Sequence, residues 1–112
     1  MKVNILGSKW KIKYEFEGND STLEGSDGYC DSSIKTIVIR KIEKDQYSLK
    51  DLNEYKKKVT RHEIAHAFLY ESGLAENAHS SHLSWATNEE MVDWIAIQGP
   101  KIYKAWQEAE AL

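Results

Sequence analysis

The chain reads as an α+β protein: a small antiparallel or mixed β-sheet from its first third, packed on a pair of helices, with a short C-terminal helix. Three observations give this expectation. Residues 2–16 alternate apolar and polar side chains with the period of strands. A run of Ile37, Val38 and Ile39 follows a turn-rich stretch and reads as a further strand. From residue 48 onward the apolar positions change to the 3–4 spacing of an amphipathic helix.

In order, "KVNILG" and "WKIKYEF" are the first two strands, with Gly and Ser marking the turn between them. Residues 17–27, "EGNDSTLEGSD", are rich in Gly, Ser, Asp and Asn and read as a loop. "GYC", "DSS" and "IKTIVIR" then read as a β-hairpin. The first helix is expected over "SLKDLNEYKKKVTRHEIAHAFLYESG", with Ser48 as N-cap and Gly73 just past its end. Leu49, Leu52, Tyr55 and Val59 form its early apolar stripe. Ile64, Ala65, Ala67, Phe68 and Leu69 go around most of its circumference, which predicts burial on nearly all sides at that end. The second helix is expected to start at Thr87, where T-x-x-E forms a capping box with Glu90, and to stop at Gly99–Pro100. "KIYKAWQEAEAL" reads as the short final helix.

With 112 residues the chain has the length of one domain, 1–112, with a modest core. A formal net charge of −3 leaves no basic surplus of the kind nucleic-acid binding needs. No apolar run approaches the ~20 residues required to span a membrane. The first residues lack the apolar stretch of a signal peptide, and the single cysteine, Cys30, permits no intrachain disulfide. These features lead us to expect a location in a reducing, intracellular compartment. The four tryptophans are expected as core and cleft-wall residues, and "KKK" at 56–58 as a solvated helix face.

The stretch that carries chemistry is "RHEIAHAFLY", residues 61–70. His62 and His66 stand four apart, so on a helix their imidazoles lie one turn apart on one face and can converge on one metal ion. Glu63 follows the first histidine and is placed to take a proton from a water held at that metal. H, E and H meet at this spacing by chance in only roughly a few chains per thousand of this length. A helical setting and acids downstream make the motif a zinc site in expectation, with one Zn2+ per chain.

Zinc hydrolases use three protein ligands and leave one position open, so a third ligand must come from elsewhere. The metzincin pattern is excluded, because Leu69 stands where it needs glycine and Ser72 where it needs histidine. Glu89, Glu90 and the loop histidines His79 and His82 are the alternatives. Glu90 already has a capping role, so Glu89 is favoured. Asp93, one turn on from Glu89, is expected to accept a hydrogen bond from the far nitrogen of His62 or His66. An oxyanion stabiliser is also needed. His79, His82, Tyr70 and Tyr103 are its candidates. Cys30 reads as a small core residue, with a zinc thiolate as the lesser option.

"HEIAH" followed by "NEEMVD" resembles the gluzincin metallopeptidases. In thermolysin-like members an N-E-x-x-x-D segment supplies the third ligand and a histidine-supporting aspartate, which correspond to Asn88, Glu89 and Asp93 here. The small size and the hairpin before the motif helix are similar to minimal gluzincins and to the ImmA/IrrE family. That family's E-x-x-A-x-x-F-A is matched by Glu89, Val92, Ile95 and Ala96, with Val for Ala and Ile for Phe. The wording also looks like small phage- and prophage-encoded proteins of Gram-positive bacteria. The resemblance covers residues 28–98. It implies a zincin-like helix pair and a cytoplasmic metallopeptidase, in a bacterial host cell if phage-encoded, acting on a peptide or protein substrate. It further implies that the strand before the motif helix, "IKTIVIR", edges the cleft and pairs with an extended peptide. Two other classes compete with the enzyme: a zinc-binding interaction module without activity, and a regulator of ImmA/IrrE type acting on a repressor or host factor.

Overall fold

The computed structural model describes residues 1–42, 51–76 and 87–112. Ser48, Leu49, His79, His82 and Trp85 lie outside them. Four strands form one mixed sheet: β1 (Lys2–Ile5), β2 (Ser8–Glu15), β3 (Gly28–Asp31) and β4 (Thr36–Arg40), in the order β1-β2-β4-β3. Two helices of 20 residues follow, α1 (Leu52–Glu71) and α2 (Glu89–Glu108). The predicted α+β class, with a mixed sheet in the first third, is what the chain adopts.

β1 and β2 form a tight antiparallel hairpin in which Ile5 faces Ser8. Its two turn residues, Leu6 and Gly7, both have positive φ, at 50° and 89°. That is the backbone of a type I′ turn, whose twist suits the strands it joins. β2 then pairs in parallel with β4, so the chain must cross over between them. The crossover holds two short 3-10 turns, Glu17–Asn19 and Ser21–Leu23, and then β3, which pairs antiparallel with β4. The stretch read as plain loop thus contributes Leu23, fully buried, to the interior. β4 is flanked on both sides. The expectation that it edges the cleft is therefore wrong: the edges are β1 and β3, and β3 is the edge beside β4.

Alternation sets the core. In β2, Trp10 and Ile12 point inward while Lys9, Lys11 and Lys13 stay exposed. Ile5, Trp10, Ile12, Ile37 and Ile39 pack with Val59 and Ala67 of α1. The indole Nε1 of Trp10 donates to Glu71 Oε1 at 2.8 Å, tying the sheet to the end of α1. Lys35 meets the same carboxylate at 2.9 Å.

Both helix starts differ from the sequence expectation. α1 begins at Leu52, with the Asp51 side chain accepting from the Glu54 backbone N–H, in place of a start at Ser48. α2 is capped by Asn88, which accepts from Met91 N at 2.8 Å, in place of Thr87. Asp, Asn, Ser and Thr are close rivals as caps, so neighbouring candidates compete with little between them. The end of α1 is as expected: Gly73 follows the C-cap with φ 86°. Its last turns are not buried all round, since Phe68 is 41% exposed.

The largest departure is at Gly99–Pro100, which does not end α2. The helix runs through Pro100 to Glu108, absorbing the predicted separate C-terminal helix. Proline offers no N–H to the carbonyl four residues back, here that of Ala96. Arg61 of α1 supplies the missing donor, its Nε reaching Ala96 O at 2.6 Å. A tertiary hydrogen bond thus replaces the lost helical one.

Candidate functional site

The site sits where α1 passes between the edge of the sheet and the first turns of α2. Val59, Glu63 and Ala67 follow at i, i+4 and i+8, so they form one stripe. Val59 and Ala67 belong to the sheet-facing core, and Glu63 lies between them. This explains why a carboxylate is only 6% exposed. His62 and His66 lie one step around the helix and face α2. On α2, Glu89, Val92, Asp93 and Ala96 share the face that meets α1. Val92 and Ala96 are buried.

The geometry is specific. Glu89 spans both histidines, with Oε2 at 3.1 Å from His62 Nε2 and Oε1 at 2.9 Å from His66 Nε2. The two Nε2 atoms are 3.1 Å apart. Ligand atoms from the three residues lie within 4.8 Å of one another. Tetrahedral ligation at ~2.0–2.1 Å places ligand atoms about 3.3 Å apart, so this triangle is close to the size zinc requires. The set of two imidazoles and one carboxylate is also the chemistry that zinc takes in an open, catalytic arrangement.

The tautomer of His62 follows from its second contact. Its Nδ1 lies 2.7 Å from Asp93 Oδ1. An ionised carboxylate only accepts, so Nδ1–H is the donor and the Nε2 lone pair points toward His66 and Glu89. Two ring nitrogens and a carboxylate thus meet at one point, a donor set that could hold a metal ion. Burial pushes the pKa of His66 down, with Glu89 as the principal influence in the other direction. A neutral imidazole is the form that ligates metal. Burial pushes the Glu63 carboxyl up to about 7, with His62 lowering it and Glu89 raising it.

Gly28 of β3 explains how Glu63 fits. A Cβ at this position would lie 3.0 Å from Val38 O and 3.3 Å from Glu63 Cγ. The glutamate stem therefore packs directly over the glycine. Just before it, Asp27 fixes the start of β3 to two elements: Arg40 Nη2 meets Asp27 Oδ1 at 2.5 Å, and the Tyr55 hydroxyl donates to Oδ2. Because Arg40 N donates to Asp27 O, the alternation of an antiparallel pair turns the N–H and C=O of Gly28 and Cys30 toward the open side of the sheet. The Ser26 hydroxyl donates to Gly28 O at 2.7 Å.

Two hollows flank the site along this edge. One, of about 250 Å3, includes Asp27, Tyr55 and Lys58 beside His62, Glu63 and Asp93. The other, of about 240 Å3, includes Tyr29, Cys30 and Tyr70 beside His66 and Glu63. Gly28, His62, Glu63 and Glu89 border both.

The sequence-derived residues divide accordingly. His62, Glu63, His66, Glu89 and Asp93 come together, with Asp93 on His62 and not on His66. Glu90 is exposed and takes no part in the cluster. Tyr70 lines one of the two hollows, and burial raises its pKa. Tyr103 lies in a different, apolar groove with Phe68, Ile95 and Pro100. His79 and His82 fall outside the described residues. Cys30 lines the cleft without joining the cluster, and burial, then Glu63 and Asp31, push its thiol up to about 12. Trp94 and Trp106 are more than half exposed, so they are not core. Sequence reasoning passes over Gly28 and reads Lys58 as part of a solvated face with Lys56 and Lys57, whereas Lys58 is half-buried beside the site. Their only sequence signals are a glycine opening a strand and a lysine one turn before His62.

No helix among the described residues is long and apolar enough to cross a membrane. No protein-family model matches the chain, and no curated protein or solved structure matches it.

Proposed function

We propose that the chain is a zinc-dependent metallopeptidase that hydrolyses peptide bonds. The observation that carries this reading is the convergence of His62 Nε2, His66 Nε2 and the Glu89 carboxylate beside the buried Glu63. His62, His66 and Glu89 would hold the ion, one per chain. Zinc, when bound, supplies Lewis acidity, polarising a carbonyl oxygen and lowering the pKa of water to about 7.

The chain's own residues do the rest. Glu63 accepts a proton from the attacking water and returns it to the leaving amine. The packing of its stem on Gly28 holds its carboxylate at the border of both hollows. Asp93 holds the His62 ring in one tautomer and one orientation. The outward N–H and C=O groups of Cys30 can pair with an extended substrate, the role the sequence assigned to β4, while those of Gly28 meet the Ser26 hydroxyl. Tyr70 is the oxyanion stabiliser best supported among the candidates, because it alone of the described ones lines the site.

The rival reading is a zinc staple without activity, since the cluster also joins two helices. Hydrolysis separates the two. Zinc-loaded wild type is expected to cleave members of a degenerate fluorogenic peptide library, and Glu63→Gln to bind zinc but cleave none. Equal rates for the two proteins, or loss of zinc in Glu63→Gln, would contradict these roles. No cleavage by wild-type protein holding zinc would favour the staple.

A further inference from the structure

The two hollows differ in charge. The one beside Tyr29, Cys30 and Tyr70 has no cation in its described wall. The other has Lys58, half-buried, on the same face of α1 as His62 and one turn before it. The acids around Lys58 are already engaged. Asp27 is taken by Arg40 and Tyr55, Asp93 by His62, and Glu89 by both histidines. No described carboxylate is ion-paired with Lys58. Its Nζ rests instead 5.0 Å from the centre of the Tyr55 ring. That ring is fixed by its hydroxyl on Asp27, so it holds the lysine stem along the wall.

An uncommitted ammonium in a cleft wall, next to the atoms that would react, recognises a carboxylate. We propose that Lys58 is a specificity-determining residue that selects substrates carrying a carboxylate on one side of the scissile bond, the side lying over Asp27 and Tyr55. The inference rests on the metallopeptidase reading. The opposite hollow, walled by Tyr29, Cys30 and Tyr70, imposes no such demand. The carboxylate can come from an acidic side chain or from a peptide C-terminus, since both offer Lys58 the same group.

The test uses binding, so that it does not depend on turnover. Zinc-loaded Glu63→Gln protein is titrated, by fluorescence polarisation, into three labelled sets of alanine-rich decapeptides. One set carries glutamate at successive central positions with an amidated C-terminus. The second carries glutamine there. The third is neutral with a free C-terminus. At least one carboxylate set is expected to bind roughly tenfold or more tighter than the glutamine set, as a charge-assisted contact gives. Within the glutamate set the gain should be confined to positions on one side. A gain in the first set identifies an acidic side chain, and a gain in the third identifies a terminal carboxylate. Adding Lys58→Met should equalise the sets, Lys58→Arg should keep the preference, and Lys58→Glu should reverse it in favour of the glutamine set. Equal affinity across all three sets, or a preference that survives Lys58→Met, overturns the role of Lys58 and leaves the peptidase reading standing. Failure of every peptide to bind the zinc-loaded protein overturns both.

Discussion

α1 and α2 have the same length, 20 residues each, yet they are held in very different ways. α1 lies against the sheet through Val59, Glu63 and Ala67, and its end is fastened by the bond from Trp10 to Glu71. α2 buries only Val92 and Ala96. Past Pro100 its residues are exposed, except for the half-buried Ile102. Beside Val92 and Ala96, what fastens α2 to α1 is a short set of polar contacts: Glu89 on both histidines, Asp93 on His62 and Arg61 on Ala96 O. In the proposed reading, the firmly held helix carries the groups whose position matters most, His62, Glu63 and His66. The lightly held helix brings the carboxylates. A metal at their meeting point would join the two, so metal affinity and the docking of α2 are linked.

That contrast can be broken from the firm side first. Trp10→Ala removes the largest fully buried side chain among the described residues and is expected to cost about 3–5 kcal/mol in denaturant unfolding. A loss below ~1 kcal/mol would mean that the sheet does not hold α1 through this core.

Substitutions on α2 should act on metal rather than on the core. Asp93→Ala is expected to weaken zinc roughly 10–100-fold by freeing the His62 ring, and Glu89→Ala to weaken it by more than that. Neither should alter the unfolding of the metal-free protein as Trp10→Ala does, because both carboxylates are more than half exposed. Chelator competition measures the affinities. The ranking is wrong if Asp93→Ala proves the more damaging of the two.

Arg61 tests the polar fastening itself. Arg61→Met leaves the Ala96 carbonyl without its donor and is expected to cost about 1–3 kcal/mol. Pro100→Ala restores a backbone N–H four residues on, so the same Arg61→Met change should cost less in that background. Equal costs in the two backgrounds, read from a double-mutant cycle, would show that Arg61 does not sustain the unbroken helix. At the small end, Glu90→Ala should leave zinc affinity unchanged.

The pattern of what could be read from sequence follows the same division. Features set by local period were legible: the alternation that buries Trp10 and Ile12, and the i, i+4 spacing that brings His62 and His66 together. Asp93 was legible for the same reason, one turn on from Glu89; the ground for preferring Glu89, a capping role for Glu90 with Thr87, does not hold, since Asn88 is the cap. Features set by partners distant in the chain were not. Nothing local to Pro100 reveals that Arg61, 39 positions earlier, will satisfy the carbonyl it orphans. Nothing in "IKTIVIR" reveals that β3 will take the edge, because a continuous apolar run fits a central strand as well as a cleft border. Gly28 has the same history: its small size matters only because Glu63 packs over it. The misplaced caps have another cause. Asp51 with Glu54, and Asn88 beside Thr87, offer caps as good as those expected, and pattern alone does not rank them.

Two histidines of the firm helix and one carboxylate of the other are expected to hold a single metal ion. The most direct measurement is the zinc content of purified protein after equilibrium dialysis against zinc, for wild type and for His62→Ala/His66→Ala. About one zinc per wild-type chain is predicted, with none retained by the double variant. No zinc in the wild type, or equal zinc in the two proteins, would contradict the claim.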